Sequence, residues 1–205
     1  MKSKRLGSEI IRLALPATIE NIFQTLVGFF DTLLIAQLGL VAVTAVGLAN
    51  TILNVYLAVF LAIGVGGTAL IARSLGAGQK EKARQYARQT QELSIAGGIV
   101  FGFISIFFGR WMLQAMGASG SALEDAQVFF YWVGGFSLLH ASMTSLGTIL
   151  RATGDTVTPM KVGIITNVTN VLLDYFLIFG FGSWDGLGIL GTALGTIFAR
   201  LLGCY

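Results

Sequence analysis

DTLLIAQLGLVAVTAVGLANTILNVYLAVFLAIGVGGTALIAR, residues 31–73, decides the fold class. Between Asp31 at its start and Arg73 at its end there is no charged side chain. A soluble element of that length would have no polar face to turn towards water. A hydrocarbon core, by contrast, is crossed by about 20 apolar residues in helical form. The stretch is too long for one crossing. Leu38-Gly39-Leu40 is the place to turn, because glycine accepts the backbone angles that a tight turn requires.

The rest of the chain agrees. Of its 205 residues, 55% are hydrophobic and 11% are charged, and the mean hydropathy is +0.79. Soluble domains carry about 25% charged residues. The apolar runs are long and continuous, which argues against a barrel of short alternating strands. Cys204 is the single cysteine, so no internal disulfide forms. Met1-Lys2-Ser3-Lys4-Arg5 resembles the start of a signal peptide. The apolar stretch behind it runs past signal length without a clear cleavage site, so it reads as a retained first span.

Charges and glycine turns predict an all-α membrane protein with six transmembrane helices in a single lobe. The spans are 8–37, 41–75, 82–116, 123–150, 159–181 and 187–205. Six spans put both termini on one side. Of the 13 Lys and Arg residues, all but Arg110 then fall on that side. This bias predicts that both termini are cytoplasmic, and it explains the net charge of +3 by topology, with no nucleic-acid partner. Glu124, Asp125 and Asp185 belong to the opposite loops. Gly98 and Gly102, and Gly191 and Gly195, are four apart and mark helix contacts in lipid. Gly76-Ala77-Gly78 is a turn, since no P-loop lysine pattern follows it.

Asp31 and Asp174 break the pattern by standing inside apolar spans. A carboxylate near mid-bilayer costs at least about 2.5–3.5 kcal/mol, and such residues point to proton or cation handling. Each precedes an external turn, at Gly39 and near Gly182, by eight residues. Both therefore lie about 12 Å below that helix end. Glu20, Gln24 and Asp31 share one face of span one; Asn167, Asn170 and Asp174 share one of span five; Thr192 and Thr196 share one of span six. One wet pocket lined by these groups suits a hard cation such as Na⁺, whose ligands are oxygens. It equally suits a proton held between carboxyl groups out of water. The plainer alternative is a structural hydrogen bond from each Asp to a neighbouring helix, and for Glu20 simple contact with water.

His140 has no ligand partners at metal spacing and reads as a packed histidine. Asn167-Val168-Thr169 matches a glycosylation acceptor but falls within a span. Pro16 removes a backbone donor from span one and either kinks the helix or sits quietly in its first turns.

Four segments carry a family resemblance: Leu15-Pro16 with Phe30-Asp31-Thr32 and Leu38-Gly39; Ala72-Arg73-Ser74-Leu75-Gly76-Ala77-Gly78; Leu150-Arg151-Ala152-Thr153-Gly154-Asp155-Thr156 with Pro159; and Asn170-Val171-Leu172-Leu173-Asp174-Tyr175. Spread over nearly the whole chain, they resemble the MATE (multidrug and toxic compound extrusion) family of the MOP superfamily, in its DinF-like branch. The resemblance implies a multi-pass protein of the plasma (inner) membrane. It implies two six-helix lobes that alternate between outward-open and inward-open states. Organic cations, drugs or amphipathic metabolites leave as H⁺ or Na⁺ enters, with no cofactor and no enzymatic step. It also implies a cation or proton site at Asp31, Asn170, Asp174 and Thr192, and a bending role for Pro16. Glu20, Gln24 and Asn167 remain cavity candidates.

The chain corresponds to the N-terminal lobe alone, so its partners would be a small-molecule substrate, the lipid bilayer, and a second lobe or a second copy. Two alternatives are a lipid-linked oligosaccharide flippase of the same superfamily and an inactive transporter fragment. The flippase predicts a strongly basic cavity, yet the spans hold few Arg or Lys away from their ends. An intramembrane aspartyl protease would require a Gly-x-Gly-Asp context that both positions lack.

Overall fold

The computed structural model describes residues 2–181 and 184–204, with side chains described for 14–180 and 185–204. The side chains of Lys2, Lys4, Arg5 and Arg12, and the turn near Gly182, lie outside that set. The chain forms α1 (Lys2–Ala36), α2 (Leu40–Gly76), α3 (Lys80–Ala115), α4 (Gly120–Gly135), α5 (Ser137–Ala152), α6 (Val157–Phe179) and α7 (Ile189–Gly203). A short antiparallel ladder of β1 (Gly180–Phe181) and β2 (Trp184–Asp185) joins α6 to α7.

Segments of α1, α2, α3 and α6 are each long and apolar enough to cross a bilayer. The turn inside residues 31–73 occurs at Gly39, whose φ of 111° is open to glycine and closed to most residues. The sequence expectation of one continuous helix over 123–150 is corrected. α4 and α5 meet at Phe136 with a bend of 49°. The break falls after Gly134-Gly135, a weak point in helix propensity. The Ser137 hydroxyl donates to the Gly134 carbonyl across it. α7 is apolar but only 15 residues long.

α3 runs antiparallel to α2 and to the α4–α5 pair, and small residues let the backbones approach. A Cβ at Gly102 would lie 2.6 Å from the Gly135 carbonyl oxygen, and one at Gly98 would lie 2.7 Å from the Leu138 backbone. Further along, Tyr56 stacks on Phe101 with ring centres 4.3 Å apart, and its hydroxyl is hydrogen-bonded to Ser105 at 3.1 Å. The continuous buried core is built mainly from α2 and α4, around Phe60, Phe129, Phe130 and Val133.

α1 differs. Among its described side chains only Pro16, Val27 and Ile35 are buried. Pro16 lies inside an α-helix that continues without interruption on both sides of it. α1 packs on α6 in parallel register. Glu20 sits against Gly163, and eleven residues further along each helix Asp31 lies within electrostatic reach of Asp174. That offset is about 16 Å along the axis. Two ends of the bundle follow from the connections. One, here the basic end, holds the α2–α3 and α5–α6 turns and the close of α7. The other holds the α1–α2 and α3–α4 turns and the β1–β2 ladder.

Candidate functional site

Asp174 is 1% exposed, the most enclosed carboxylate among the described residues. α7 makes that enclosure. Gly195 lies so close to Asp174 Oδ1 that a side chain there would overlap the carboxylate. The Gly191/Gly195 spacing, read from sequence as a helix contact, therefore also positions the acid. Asn170, one turn earlier on α6, donates from Nδ2 to Asp174 Oδ1 at 3.3 Å. Asp31 comes from α1 on the same level, with a buried Oδ1 that has no hydrogen-bond partner among the described residues. The buried Thr192 hydroxyl on α7 is unpartnered in the same way. Asp174, its Asn170 partner and Asp31 are thus brought together by α6 and α1, with Gly195 of α7 against them, and the Thr192 hydroxyl lies one turn before Gly195 on α7. Buried polar atoms ordinarily have partners, and the described residues leave four buried side-chain oxygens without one, on Asp31, Thr192, Ser94 and Thr166. Carboxylate, amide and hydroxyl oxygens are the ligand type a hard cation takes, and a carboxyl group out of water is the type that holds a proton.

The other polar residues form a second level. A cavity of about 480 Å³ opens towards the basic end between α1, α2, α5, α6 and α7. Its walls include Glu20, Gln24, Asn167, Asn170 and Thr196. Asp31, Asp174 and Thr192 are not among its lining residues. The single pocket expected from helix faces is therefore corrected to two stacked levels, with Asn170 common to both. Depth separates groups that share a face. Eleven residues bring a side chain back to within about 20° of its starting direction while moving it three turns along the axis.

Sequence reasoning missed one pair at the lower level. Arg151 Nη2 on α5 donates to both Glu20 oxygens at 2.7 Å, tying α1 to α5. The signal was available, since the span map puts Glu20 and Arg151 near the same end with opposite charges. His140 also lines the cavity, with its ring 6.2 Å from Phe60. No group of three or more His, Cys, Asp or Glu able to hold a metal occurs among the described residues. Asn167-Val168-Thr169 lies within α6.

Outside the spans, Asp155 opens α6. Its Oδ1 accepts the backbone N–H groups of Val157 and Thr158 at 3.1 and 3.0 Å. Hydrogen bonds from the Thr158 side chain and backbone hold this carboxyl below the usual carboxylate range.

Comparison with known proteins follows the same lines. The MatE family profile matches residues 16–176. Over 198 residues the chain is 34% identical to a probable multidrug resistance protein NorM of Thermotoga maritima, covering 97% of this chain and 43% of that protein. A FAD transporter of Shewanella oneidensis is 27% identical over 203 residues, covering 98% of this chain and 44% of its own length. Among solved structures, the outward-facing conformation of a multidrug resistance MATE family transporter of the MOP superfamily superposes with a TM-score of 0.89. The identity there is 27%, covering 96% of this chain and 43% of that one. The chain thus spans less than half the length of these relatives, which are transporters and not enzymes. The all-helical fold and the match over residues 16–176 lead to one assignment: the chain belongs to the MatE family.

Proposed function

We propose that this chain is the N-terminal, six-span lobe of a secondary antiporter in the plasma (inner) membrane, with both termini cytoplasmic. In this reading α4 and α5 form one broken span and α7 is the sixth. The lobe exports organic cations, drugs or amphipathic metabolites in exchange for H⁺ or Na⁺, working with a second lobe or a second copy. One observation carries the reading: two carboxylates on facing helices share a buried level with unpartnered oxygens on Asp31 and Thr192. A structural pair would be expected to spend its oxygens on neighbouring donors. Asp31, Asn170, Asp174 and Thr192 would hold Na⁺ through oxygen, or the carboxyl groups would hold the proton. The coupling ion supplies the driving force. The chain's own residues supply its site and the helix contacts that sense its occupancy.

The test is uptake of a fluorescent organic cation into proteoliposomes under a Na⁺ or H⁺ gradient. Asp31→Asn and Asp174→Asn should each abolish the gradient dependence. Unchanged coupled transport in both variants would refute the mechanism. The flippase alternative gains little from the cavity, because Glu20 neutralises one of its two guanidinium groups.

A further inference from the structure

The cavity towards the basic end has a charge that its described residues do not balance. Its charged lining residues are Glu20, Arg151 and Arg200. Glu20 spends both carboxylate oxygens on Arg151. The other ion pair among the described residues is Arg88–Glu92, an exposed pair within α3. Arg200 on α7 therefore has neither a carboxylate nor a hydrogen-bond acceptor among the described residues. Two guanidinium groups against one carboxylate leave one positive charge over. The neighbour whose ring Arg200 reaches electrostatically is His140, which supplies no negative charge. A guanidinium keeps its proton in proteins, so Arg200 does not escape by neutralising. A cation set into a span on a helix of mean apolar character is costly without a counter-charge.

The surroundings are those of a ligand site. The volume, about 480 Å³, falls in the range of small-molecule pockets. Leu57, Leu61 and Val162 offer apolar wall, while Asn21, Gln24 and Asn167 offer amides. The guanidinium fork matches carboxylate and phosphate oxygens two at a time. We propose that this cavity binds a small amphipathic organic anion whose carboxylate or phosphate group is held by the Arg200 guanidinium. As a transported substrate the anion rests on the exporter reading above; as a bound ligand it does not. Asp31 and Asp174 take no part in holding it, because they lie on the other level. The same chemistry is offered by a soluble organic acid and by the headgroup of an anionic lipid.

The experiment uses the full-length protein in phosphatidylcholine nanodiscs. It is titrated with 7-hydroxycoumarin-3-carboxylate and, separately, with the uncharged ethyl ester, reading fluorescence anisotropy. The acid should bind at least about tenfold tighter than the ester, as a charge-assisted pair implies. Arg200→Gln should erase that preference, Arg200→Lys should keep part of it, and the surface control Arg88→Gln should keep all of it. Equal affinity for acid and ester in the unaltered protein overturns the proposal, whether or not Arg200→Gln folds. An Arg200→Gln protein with an unchanged thermal midpoint and an unchanged preference overturns it as well. Phosphatidylglycerol in the nanodisc separates the sources. Competition assigns the site to lipid headgroups, its absence assigns it to soluble acids, and both support an Arg200 site. Asp31→Asn should leave the preference for the acid intact, so coupled transport that survives in that variant counts against the exporter reading alone.

Discussion

Two sides of the lobe are built on different principles. α2, α3 and α4 meet through small residues and rings: Gly102 on the Gly135 carbonyl, Tyr56 on Phe101, Gly109 on Phe130. α1, α6 and α7 also use glycine contacts, Gly191 on the Leu177 backbone and Gly203 on Thr166, but carry carboxylates, an amide and a hydroxyl among them, with Gly195 making room for Asp174. In lipid, apolar surface gains little by leaving its surroundings, so helices associate through close packing or polar contacts. The first side relies on the former. The second uses the latter and leaves oxygens unspent. A transporter needs both: a scaffold that holds its shape and a seam whose energy depends on what occupies it.

The sharpest way to break this comparison is to remove the seam's charges. Asp31→Asn combined with Asp174→Asn should lower gradient-driven uptake by about a hundredfold, taking the few kcal/mol of an intramembrane carboxylate as the scale. The thermal midpoint of the purified protein should barely fall, because the packed side is untouched. A large fall in midpoint with intact coupling would make the two acids structural.

The converse is tested by one substitution made on each side. Gly102→Ala puts a methyl group about 2.6 Å from a backbone oxygen, and overpacking of this kind costs about 2 kcal/mol, or roughly 5 °C of midpoint. Gly28→Ala on α1 meets nothing within 4 Å and should be neutral or slightly stabilising in the same thermal assay, through better helix propensity. Equal losses at the two positions would erase the distinction. A smaller effect is expected where seam and scaffold join. Glu20→Gln removes a partly exposed ion pair between α1 and α5 and should cost about 1 kcal/mol in chemical denaturation.

The smallest effect belongs to Asp155. Its carboxyl is held below the ordinary value of 3.8 by hydrogen bonds from Thr158 and Val157. A lowered folded-state value means that the ionised cap stabilises α6 above about pH 3.8, and that this contribution is lost as pH falls through the lowered value. Asp155→Ala should speed amide exchange in the first turn of α6 at pH 6 and change transport little.

Much of this was legible in sequence, and the failures share a cause. The charge-free run of residues 31–73 and the turn at Gly39 follow from composition and from glycine's backbone freedom. The polar faces of α1 and α6 follow from helical periodicity. Angle on a helix is readable from spacing alone, whereas depth requires the register of one helix against the next. That register merged Glu20, Gln24 and Asn167 with the acids above them. The break at Phe136 escaped because apolar composition continues through it. Arg200 counts in sequence only as one of the basic residues on the side of the termini, since a basic residue near a span end is indistinguishable there from one turned into a cavity.

The parallel seating of α1 on α6 has a mechanical consequence. Glu20 and Asp31 sit on one rod, three turns apart and facing nearly the same way. If the rod twists about its axis or slides along α6, both stations move by the same amount at the same instant. Under the proposed exchange, a rotation set off by neutralising the upper acid would reach the clasp between Glu20 and Arg151 without any relay of intervening side chains. The helix itself would be the driveshaft, and Pro16, below both stations, is the residue along it that has no backbone N–H to donate.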